Sequence, residues 1–505
     1  MEVAMTGNRV RQVMSFQDYE KIARSYEKRA YIPVQMIIPE PRVDPASIYA
    51  DMSPAEGFLL ESMEGVPRRA VRSIIGIKPL AVLSIGENLH VTGEKAGFFQ
   101  EMAVLQRPGA PLEILKQISG NISGYSLDER SFTGGMAGYC RYELVRSITH
   151  GMVTPGDDDS PVIRFIVPGE IVVFDHVTHT CTLIAGTLVH PGEDLHGIYQ
   201  DAVERVRSLH ETISRIPEGA DDPVLIKEAV CLPHEDRGSF EQAVAEALEH
   251  IRAGDIFQVV LSRRFSLPFQ DDPYKIYRIL RLINPSPYLY YFNFGDETVI
   301  GSSPEMLVKT EGSVVTTVPI AGTRPRGRDK EEDEKLAADL LADPKELAEH
   351  LMLVDLARND IGKVSEFGTV RVTDFMEIEK FSHVQHITSV VVGDLKHGLS
   401  PVDALEACFP AGTVSGAPKI RAMQIISELE PVSRGLYSGA VGYLGFNGLM
   451  EFAIAIRTVI VRDGMATCQA GAGIVADSVP SREFEETEAK VRAMAQAVYG
   501  AGVSE

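Results

Sequence analysis

The chain has 505 residues and a formal net charge of −22, and 44% of its residues are hydrophobic. This length allows two or three domains, or one large interleaved fold. The negative charge argues against nucleic acid and anionic membranes as main partners, although a local basic pocket would be enough to bind a small anion.

The five cysteines lie tens of residues apart and form no CxxC pair: Cys140, Cys181, Cys231, Cys408 and Cys468. This pattern is typical of reduced thiols in the cytosol. Residues 1–16 lack the apolar core of a signal peptide, and no apolar run approaches membrane-spanning length. We therefore expect a cytoplasmic protein.

A shift in composition at 215–240 predicts a linker between two halves of the chain. The second half opens with a predicted helix, for which Ser239 and Gln242 form a capping-box pattern and Gly254 provides a stop. An apolar strand follows at 256–265.

Later segments alternate between clusters of strands and single helices. Strands are predicted at 288–294, 298–302, 313–319, 369–379 and 384–392, followed by a meander over 438–448, 451–464 and 466–475, and helices are predicted at 344–358, 418–429 and 481–498. Clustered strands favour an α+β fold with large antiparallel sheets over a regular strand–helix repeat.

Two of the predicted helices carry glutamates three residues apart, which places each pair on one helix face. One pair is Glu346 and Glu349, and the other is Glu483 and Glu486, with Lys490 one turn further on. Each pair alone is typical of a solvated surface. If the two helices converge, their four carboxylates would suit a hard cation such as Mg²⁺.

Other polar residues are ambiguous when each is considered alone. Arg457 lies in an otherwise apolar predicted strand, so it is either an edge residue that reaches solvent or the partner of a buried anion. His386 would ordinarily be a hydrogen-bonded core residue, and Glu305, after a Ser-Ser-Pro turn, would ordinarily lie at the surface. The Gly-rich segments 409–419 and 470–475 match no nucleotide-binding fingerprint.

Taken in order, these segments resemble one family. IRAGDIFQVVLSRRF, PIAGTRPRG, AEHLMLVDLARND, FPAGTVSGAPKIRAM and QAGAGIVADSVPSREFEET are similar to segments of the chorismate-utilising enzymes, and within them of anthranilate synthase component I. The resemblance implies the chorismate-binding enzyme fold, in which large antiparallel sheets pack as a sandwich with helices outside. It assigns 235–498 to the chorismate-binding catalytic region and, more weakly, 1–225 to an N-terminal region for regulation and partner contacts.

The resemblance also implies a Mg²⁺ site. Glu349 and Glu486 would bind the metal directly, while Glu346 and Glu483 would reach it through water. The implied substrate-binding residues are Gly322, Thr323, Thr413, Tyr437, Arg457, Gly471, Ala472, Gly473 and Lys490.

The implied reaction is attack of ammonia on C2 of chorismate, followed by loss of the C4 hydroxyl as water and then loss of pyruvate. Glu305 would protonate the departing hydroxyl, and His386 would support removal of the C2 proton. Gln258 stands where water-adding members carry a Lys base, and Ala321 where aminodeoxychorismate-forming members carry a nucleophilic Lys.

Three other interpretations are weighed against this one. Ala321 disfavours aminodeoxychorismate synthase component I, which is the main alternative. Gln258 disfavours an isochorismate or salicylate synthase. An inactive regulator or scaffold would be expected to lack a glutamate at 305, 349 or 486, and all three are present.

No cysteine lies in a Gly-rich nucleophile elbow, so no glutamine-hydrolysing unit is visible in the chain. We therefore expect ammonia to come from a separate glutamine amidotransferase subunit, anthranilate synthase component II, in a heterotetramer. The segments LLES and NPSPYL resemble the family's tryptophan site. Ser62 would hydrogen-bond the amino-acid end of tryptophan, and Pro287, Tyr288 and Leu289 would flank the indole.

A small cationic segment contains Arg324, Arg326 and Arg328, which follow Ala321 at alternate positions. The acidic stretch 329–335 comes directly after it and indicates exposure to solvent. We expect the three arginines to belong to an exposed lid rather than to contact the substrate.

Overall fold

The computed structural model describes residues 13–64, 69–103, 110–126, 130–149, 152–155, 160–217, 236–380 and 384–502. The strands are β1 (Arg29–Pro39), β2 (Gly57–Glu64), β3 (Arg69–Ile85), β4 (Leu89–Thr92), β5 (Ile122–Gly124), β6 (Gly135–Cys140), β7 (Ile163–Asp175), β8 (Thr180–Val189), β9 (Gln258–Pro268), β10 (Tyr288–Asn293), β11 (Thr298–Ser303), β12 (Met306–Glu311), β13 (Val314–Thr317), β14 (Ile320–Pro325), β15 (Arg371–Lys380), β16 (Val384–Asp394), β17 (Gly416–Ala417), β18 (Ala440–Gly445), β19 (Met450–Ile454), β20 (Thr458–Arg462) and β21 (Met465–Ile474). The helices are α1 (Phe16–Ser25), α2 (Pro45–Met52), α3 (Ala96–Gln100), α4 (Pro111–Gly120), α5 (Val145–Ile148), α6 (Leu195–Arg215), α7 (Arg237–Arg252), α8 (Pro273–Ile283), α9 (Lys330–Ala342), α10 (Pro344–Val364), α11 (Pro401–Cys408), α12 (Lys419–Leu429) and α13 (Pro480–Ala501).

The strands form a continuous hydrogen-bonded sheet that divides into two arms at β7. The first arm runs β1–β8–β7–β3–β2–β10–β11–β20–β21–β9, with every neighbouring pair antiparallel. The second arm runs β7–β6–β18–β19–β12–β13–β16 and is also antiparallel. Strands β14 and β15 both pair with β16.

The two arms pack face to face, and the helices cover their outer faces. A buried cluster contains Phe58 and Phe292 from the first arm together with Tyr139 and Val441 from the second. Residues of α6, α8 and α13 pack in a second cluster with the first arm, and residues of α10 and α11 pack in a third with the second arm. The prediction of an α+β fold with large antiparallel sheets, a sandwich and outer helices is confirmed. Because both faces of β7 are covered, almost its whole length is buried.

Several boundaries differ from the prediction. Helix α7 begins at Arg237 with Asp236 as its N-cap, and the Ser239 hydroxyl donates to the Asp236 carbonyl, so the predicted capping box is wrong. Gly254 follows the helix with φ of +80°, as expected of a helix stop. Most of the predicted linker, 218–235, lies outside the described residues.

Strands from the two predicted regions pair with each other. Strand β2 pairs with β10, and β6 pairs with β18. The two regions therefore share one sheet, and their division into separate functional units stays a prediction. In the part of the chain that the structure describes, no helix is long and apolar enough to cross a membrane.

Candidate active site

A cavity of about 360 Å³ lies where β9, β14 and β21 face helices α10 and α13. Most of the residues predicted for the site line it. They are Gln258, Glu305, Ala321, Gly322, Thr323, Glu346, Glu349, Thr413, Tyr437, Arg457, Gly471, Gly473, Glu486 and Lys490. Three predicted residues do not line the cavity but lie on the same elements or beside lining residues: His386, Ala472 and Glu483.

The carboxylates enter the cavity from the first turns of two helices. Helix α10 begins with Pro344 after Asp343, whose Oδ1 accepts a hydrogen bond from Lys345 N at 3.0 Å. This cap fixes the first turns, from which Glu346 and Glu349 reach the cavity. Helix α13 contributes Glu486 from its side. The two glutamate-bearing helices therefore converge, as the sequence hypothesis required.

Glu349 lies in an electrostatically crowded position. Burial raises the pKa of its carboxyl, and the Glu346 and Glu486 charges raise it further, while a hydrogen bond from Gln258 opposes the rise. Gln258 Nε2 donates to Glu349 Oε1 at 3.2 Å. Burial also raises the pKa of Glu483, with Glu486 again contributing. Like charges are thus held together at the cavity edge.

Lys490 partly balances this charge. Its Nζ lies 2.7 Å from Glu486 Oε1, one helical turn away, and donates to Gly471 O at 3.0 Å. Among the residues that the structure describes, no group of three or more His, Cys, Asp or Glu side chains forms a ready-made metal cage.

Glu305 is buried between β11 and β12, whereas the Ser-Ser-Pro turn taken alone would suggest a surface position. Its exposed fraction is only 8%. Burial raises the pKa of this carboxyl to about 8, although the charges of Arg457 and Lys490 act in the opposite direction. A carboxyl with this pKa is protonated at neutral pH and can donate a proton into the cavity.

Arg457 does not lie within a continuous strand, contrary to the sequence prediction. It occupies the break between β19 and β20 with φ of +50°, and its carbonyl accepts from Ser302 N at 3.2 Å. Burial lowers the pKa of the guanidinium, which Glu305 partly offsets. The break turns the side chain into the cavity instead of leaving it on a sheet edge.

Tyr437 and Gly471 meet at the cavity wall. A methyl group on Gly471 would lie 2.5 Å from the Tyr437 hydroxyl and 2.8 Å from Leu261 O. Only glycine therefore fits at this position without displacing the tyrosine or the neighbouring strand. Tyr437 itself is 8% exposed.

His386 reaches the site from β16, behind Gly322. Its Nδ1 lies 2.7 Å from Gly322 O and 3.2 Å from Thr323 Oγ1. Because a carbonyl can only accept, Nδ1 carries the hydrogen, and the neutral ring keeps its lone pair on Nε2. Burial lowers the pKa of His386, and the Arg457 charge lowers it further, so the ring is neutral and able to accept a proton.

The two residues predicted to separate the subfamilies, Ala321 and Gln258, both line the cavity. Ala321 is 9% exposed and presents only a methyl group. Gln258 is 6% exposed, and its Oε1 has no hydrogen-bond partner within the described part of the chain. A buried acceptor without a partner is unfavourable, so this oxygen favours a ligand that carries N–H or O–H groups.

The cationic segment is more ordered than the lid that the sequence suggested. Strand β14 extends to Pro325, and the acidic stretch forms the start of α9. Arg328 is exposed as expected, but Arg324 and Arg326 are half-buried and paired with carboxylates.

The two segments predicted to bind tryptophan lie side by side. Strands β2 and β10 pair with Glu61 opposite Leu289, which brings Ser62 close to the start of β10. Leu289 is buried, whereas Ser62, Pro287 and Tyr288 are half-buried.

Sequence reasoning missed the apolar part of the cavity wall. Six apolar side chains larger than alanine line it beside the polar ones: Val260, Ile320, Leu353, Val414, Ile456 and Met494. Most of them lie within or next to segments already singled out, but an apolar residue in such a segment looks like core. Their presence gives the cavity a surface that fits a carbon ring.

Comparison with known proteins finds relatives along almost the whole chain. The anthranilate synthase component 1 of Acetivibrio thermocellus is 45% identical over 480 residues, which are 93% of this chain and 96% of that protein. The one from Aquifex aeolicus is 41% identical over 502 residues, or 96% of this chain and 97% of that protein.

Solved structures extend the comparison. The crystal structure of anthranilate synthase component I from Streptococcus pneumoniae superposes with a TM-score of 0.70 at 40% identity, covering 86% of this chain and 93% of that one. The menaquinone-specific isochorismate synthase of Escherichia coli shares the fold, with a TM-score of 0.67 at 20% identity over 95% of this chain and 99% of that one. The sequence profile of the chorismate binding enzymes matches residues 59–496. The chain therefore belongs to the chorismate binding enzyme family.

Proposed function

We propose that this chain is the chorismate-converting component of an anthranilate synthase: chorismate and ammonia yield anthranilate, pyruvate and water. The anthranilate synthase component 1 relatives support this function across almost the whole chain. The observation that carries the choice of nucleophile is the cavity wall itself. Ala321 and Gln258 offer neither a nucleophilic amine nor a base for water, so the attacking group is free ammonia.

Gln258 also favours ammonia as the nucleophile through its side-chain oxygen. Its Nε2 is committed to Glu349, which leaves the unpartnered Oε1 as an acceptor at the cavity. Ammonia carries three N–H groups and can donate one to this oxygen while its lone pair points at carbon. Gln258 thus orients ammonia without deprotonating it.

The substrate is a dianion, and the cavity carries cationic and apolar groups to match. Arg457 and Tyr437 bind the enolpyruvyl carboxylate, and Lys490 lies at the end that receives the ring carboxylate. Backbone from Gly322, Thr323, Thr413 and the 471–473 segment completes the pocket. The apolar wall packs against the ring.

A magnesium ion fits the remaining charge. Glu349 and Glu486 would bind it directly, with Glu346 and Glu483 acting through water. The raised pKa of Glu349, caused partly by neighbouring carboxylates, supports a cation at this place. Mg²⁺ needs only one or two protein carboxylates when substrate oxygens and waters complete its shell, so a ready-made cage is not required. When bound, Mg²⁺ supplies Lewis-acid polarisation of the ring carboxylate.

The chain's own acid and base then carry the protons. Protonated Glu305 donates to the C4 oxygen as the C–O bond breaks and ammonia bonds to C2. Neutral His386 supports removal of the C2 proton through Nε2 as pyruvate departs and the ring becomes aromatic. Their opposite pKa shifts, both caused by burial, suit these opposite roles.

The proposal extends to a partner and to regulation. Ammonia would come from a glutamine amidotransferase subunit in a heterotetramer in the cytoplasm, with 1–225 contributing to partner contacts. Tryptophan would bind between Ser62 on β2 and the segment Pro287–Leu289. Strand β10 pairs with β11, and Tyr288 lies opposite Ser303, two residues before Glu305. A shift of β10 on tryptophan binding would therefore reach the general acid Glu305 through the neighbouring strand β11.

The proposed function is tested by incubating the pure chain with chorismate and Mg²⁺, adding either an ammonium salt or glutamine, and separating the products. We expect anthranilate with ammonium and none with glutamine. Aminodeoxychorismate or isochorismate as the sole product would contradict the proposal.

A further inference from the structure

Arg324 makes three ion pairs at the edge of the cavity. Its Nε lies 2.9 Å from Asp339 Oδ2, one terminal nitrogen lies 2.8 Å from Asp343 Oδ2, and the other lies 3.1 Å from Glu346 Oε1. The same nitrogen that contacts Glu346 also donates to Thr323 O at 3.1 Å. All three nitrogens of one planar guanidinium are thus engaged, which fixes its plane.

Two of these partners join β14 to the start of α10, and both elements contribute residues to the cavity wall. Arg324 lies on β14, directly after the wall residues Ala321, Gly322 and Thr323. Asp343 is the N-cap of α10, and Glu346 lies in its first turn. Asp343 uses one oxygen for the helix cap and the other for Arg324. The guanidinium therefore holds the start of α10 against β14.

The ion pair with Glu346 also sets the orientation of that carboxylate. Oε1 is bound by Arg324, while Oε2 lies 3.1 Å from the position that a Cβ on Gly322 would occupy. Oε2 is thus directed at the cavity face of β14.

We propose that Arg324 is a positioning residue, which orients Glu346 and the first turn of α10 so that Glu346 and Glu349 are held ready for the cation. This inference rests on the proposed function, because it assumes that the carboxylates bind Mg²⁺. Loss of a partner in the outer shell of a metal site typically costs about 10- to 100-fold in metal affinity.

The same segment provides a matched control. Arg328 pairs with Glu332 at 2.8 Å, and Glu332 belongs to the first turn of α9 rather than to α10. The Arg328 side chain is 89% exposed. Substitution of Arg328 removes the same charge, four residues away, without touching the start of α10.

The experiment compares wild type with Arg324→Gln, Arg324→Lys and Arg328→Gln. Mg²⁺ binding is followed by calorimetry and by the Mg²⁺ dependence of anthranilate formation, and amide hydrogen exchange is measured over 343–350 without metal. We expect Arg324→Gln to weaken Mg²⁺ binding by about 10- to 100-fold and to speed exchange over 343–350. Arg328→Gln should stay within about twofold of wild type, because surface ion pairs contribute little.

Arg324→Lys keeps the charge but not the planar fork. Its Mg²⁺ affinity and its exchange rate over 343–350 should therefore lie between those of Arg324→Gln and Arg328→Gln. It also serves as the test variant if Arg324→Gln does not fold. Unchanged Mg²⁺ affinity and unchanged exchange in both Arg324 variants would overturn the inference. A Glu349→Gln variant measured alongside keeps the two proposals apart, since normal Mg²⁺ binding there would instead overturn the proposed metal site.

Discussion

Raising the pH above the pKa of Glu305 should stop the reaction, and the burial of Glu305 sets that pKa. The carboxyl is 8% exposed, and burial raises its pKa to about 8. At pH 7 roughly 90% of such carboxyls are protonated, whereas at an ordinary glutamate pKa of 4.5 only about 0.3% would be. Burial therefore raises the protonated fraction of Glu305 at pH 7 about 300-fold.

The sign of the pH dependence follows from the role. A general acid must carry its proton, so kcat/KM for chorismate should be level near pH 7 and should fall about tenfold per pH unit above 8. His386 must be neutral to accept a proton. Because its pKa is lowered from the ordinary histidine value of 6.5, the ring is still neutral at pH 6.5. The assay is anthranilate fluorescence, with Mg²⁺ saturating and the concentration of unprotonated ammonia held constant across the pH range.

Two variants assign the alkaline limb to Glu305. Glu305→Gln should lose about 10²- to 10⁴-fold in kcat/KM, and its residual rate should not fall above pH 8. Glu334→Gln removes a carboxylate that is 62% exposed on α9 and should behave as wild type. A Glu305→Gln enzyme with nearly normal kcat/KM, or with the same alkaline limb as wild type, would refute the reasoning.

Three further predictions concern the metal, the base and regulation. Glu349→Gln should abolish Mg²⁺-dependent turnover while the melting temperature stays close to wild type, because the carboxylate is crowded by like charges; normal activity at the same Mg²⁺ concentration would count against it. His386→Met should still add ammonia and should accumulate the amino intermediate that precedes pyruvate loss, seen by chromatography; normal anthranilate output without intermediate would exclude His386. Tryptophan should weaken chorismate binding by a coupling of about 1–3 kcal/mol, followed by calorimetry, and Ser62→Arg should remove the effect; inhibition that persists in Ser62→Arg would move the site elsewhere.

Elements with a strong local pattern could be predicted from the sequence. Helices α12 and α13 and strands β10, β11 and β16 lie within a few residues of their predicted bounds. Strand β12 could not be predicted, because Ser-Ser-Pro indicates a turn and it is pairing with β19 that makes Met306–Glu311 a strand. Likewise, the break at Arg457 depends on a φ of +50° that the apolar run around it does not reveal.

The site residues were identified mainly by resemblance, since each was ambiguous alone. Their chemistry depends on burial and distant contacts, which local sequence does not encode. Glu305 gains its raised pKa only because β11 and β12 bury it. Arg324 reaches partners 15 to 22 residues away, which required the packing of α9 and α10 against β14.

The most direct test of the account is the ratio of products from a single reaction. The pure chain is given chorismate, an ammonium salt and Mg²⁺, and anthranilate and pyruvate are quantified together. The account predicts equal amounts of both, formed only when ammonium and Mg²⁺ are present and formed at least about 100-fold more slowly in Glu305→Gln. Chorismate consumption without anthranilate, or anthranilate formation that needs no Mg²⁺, would contradict it.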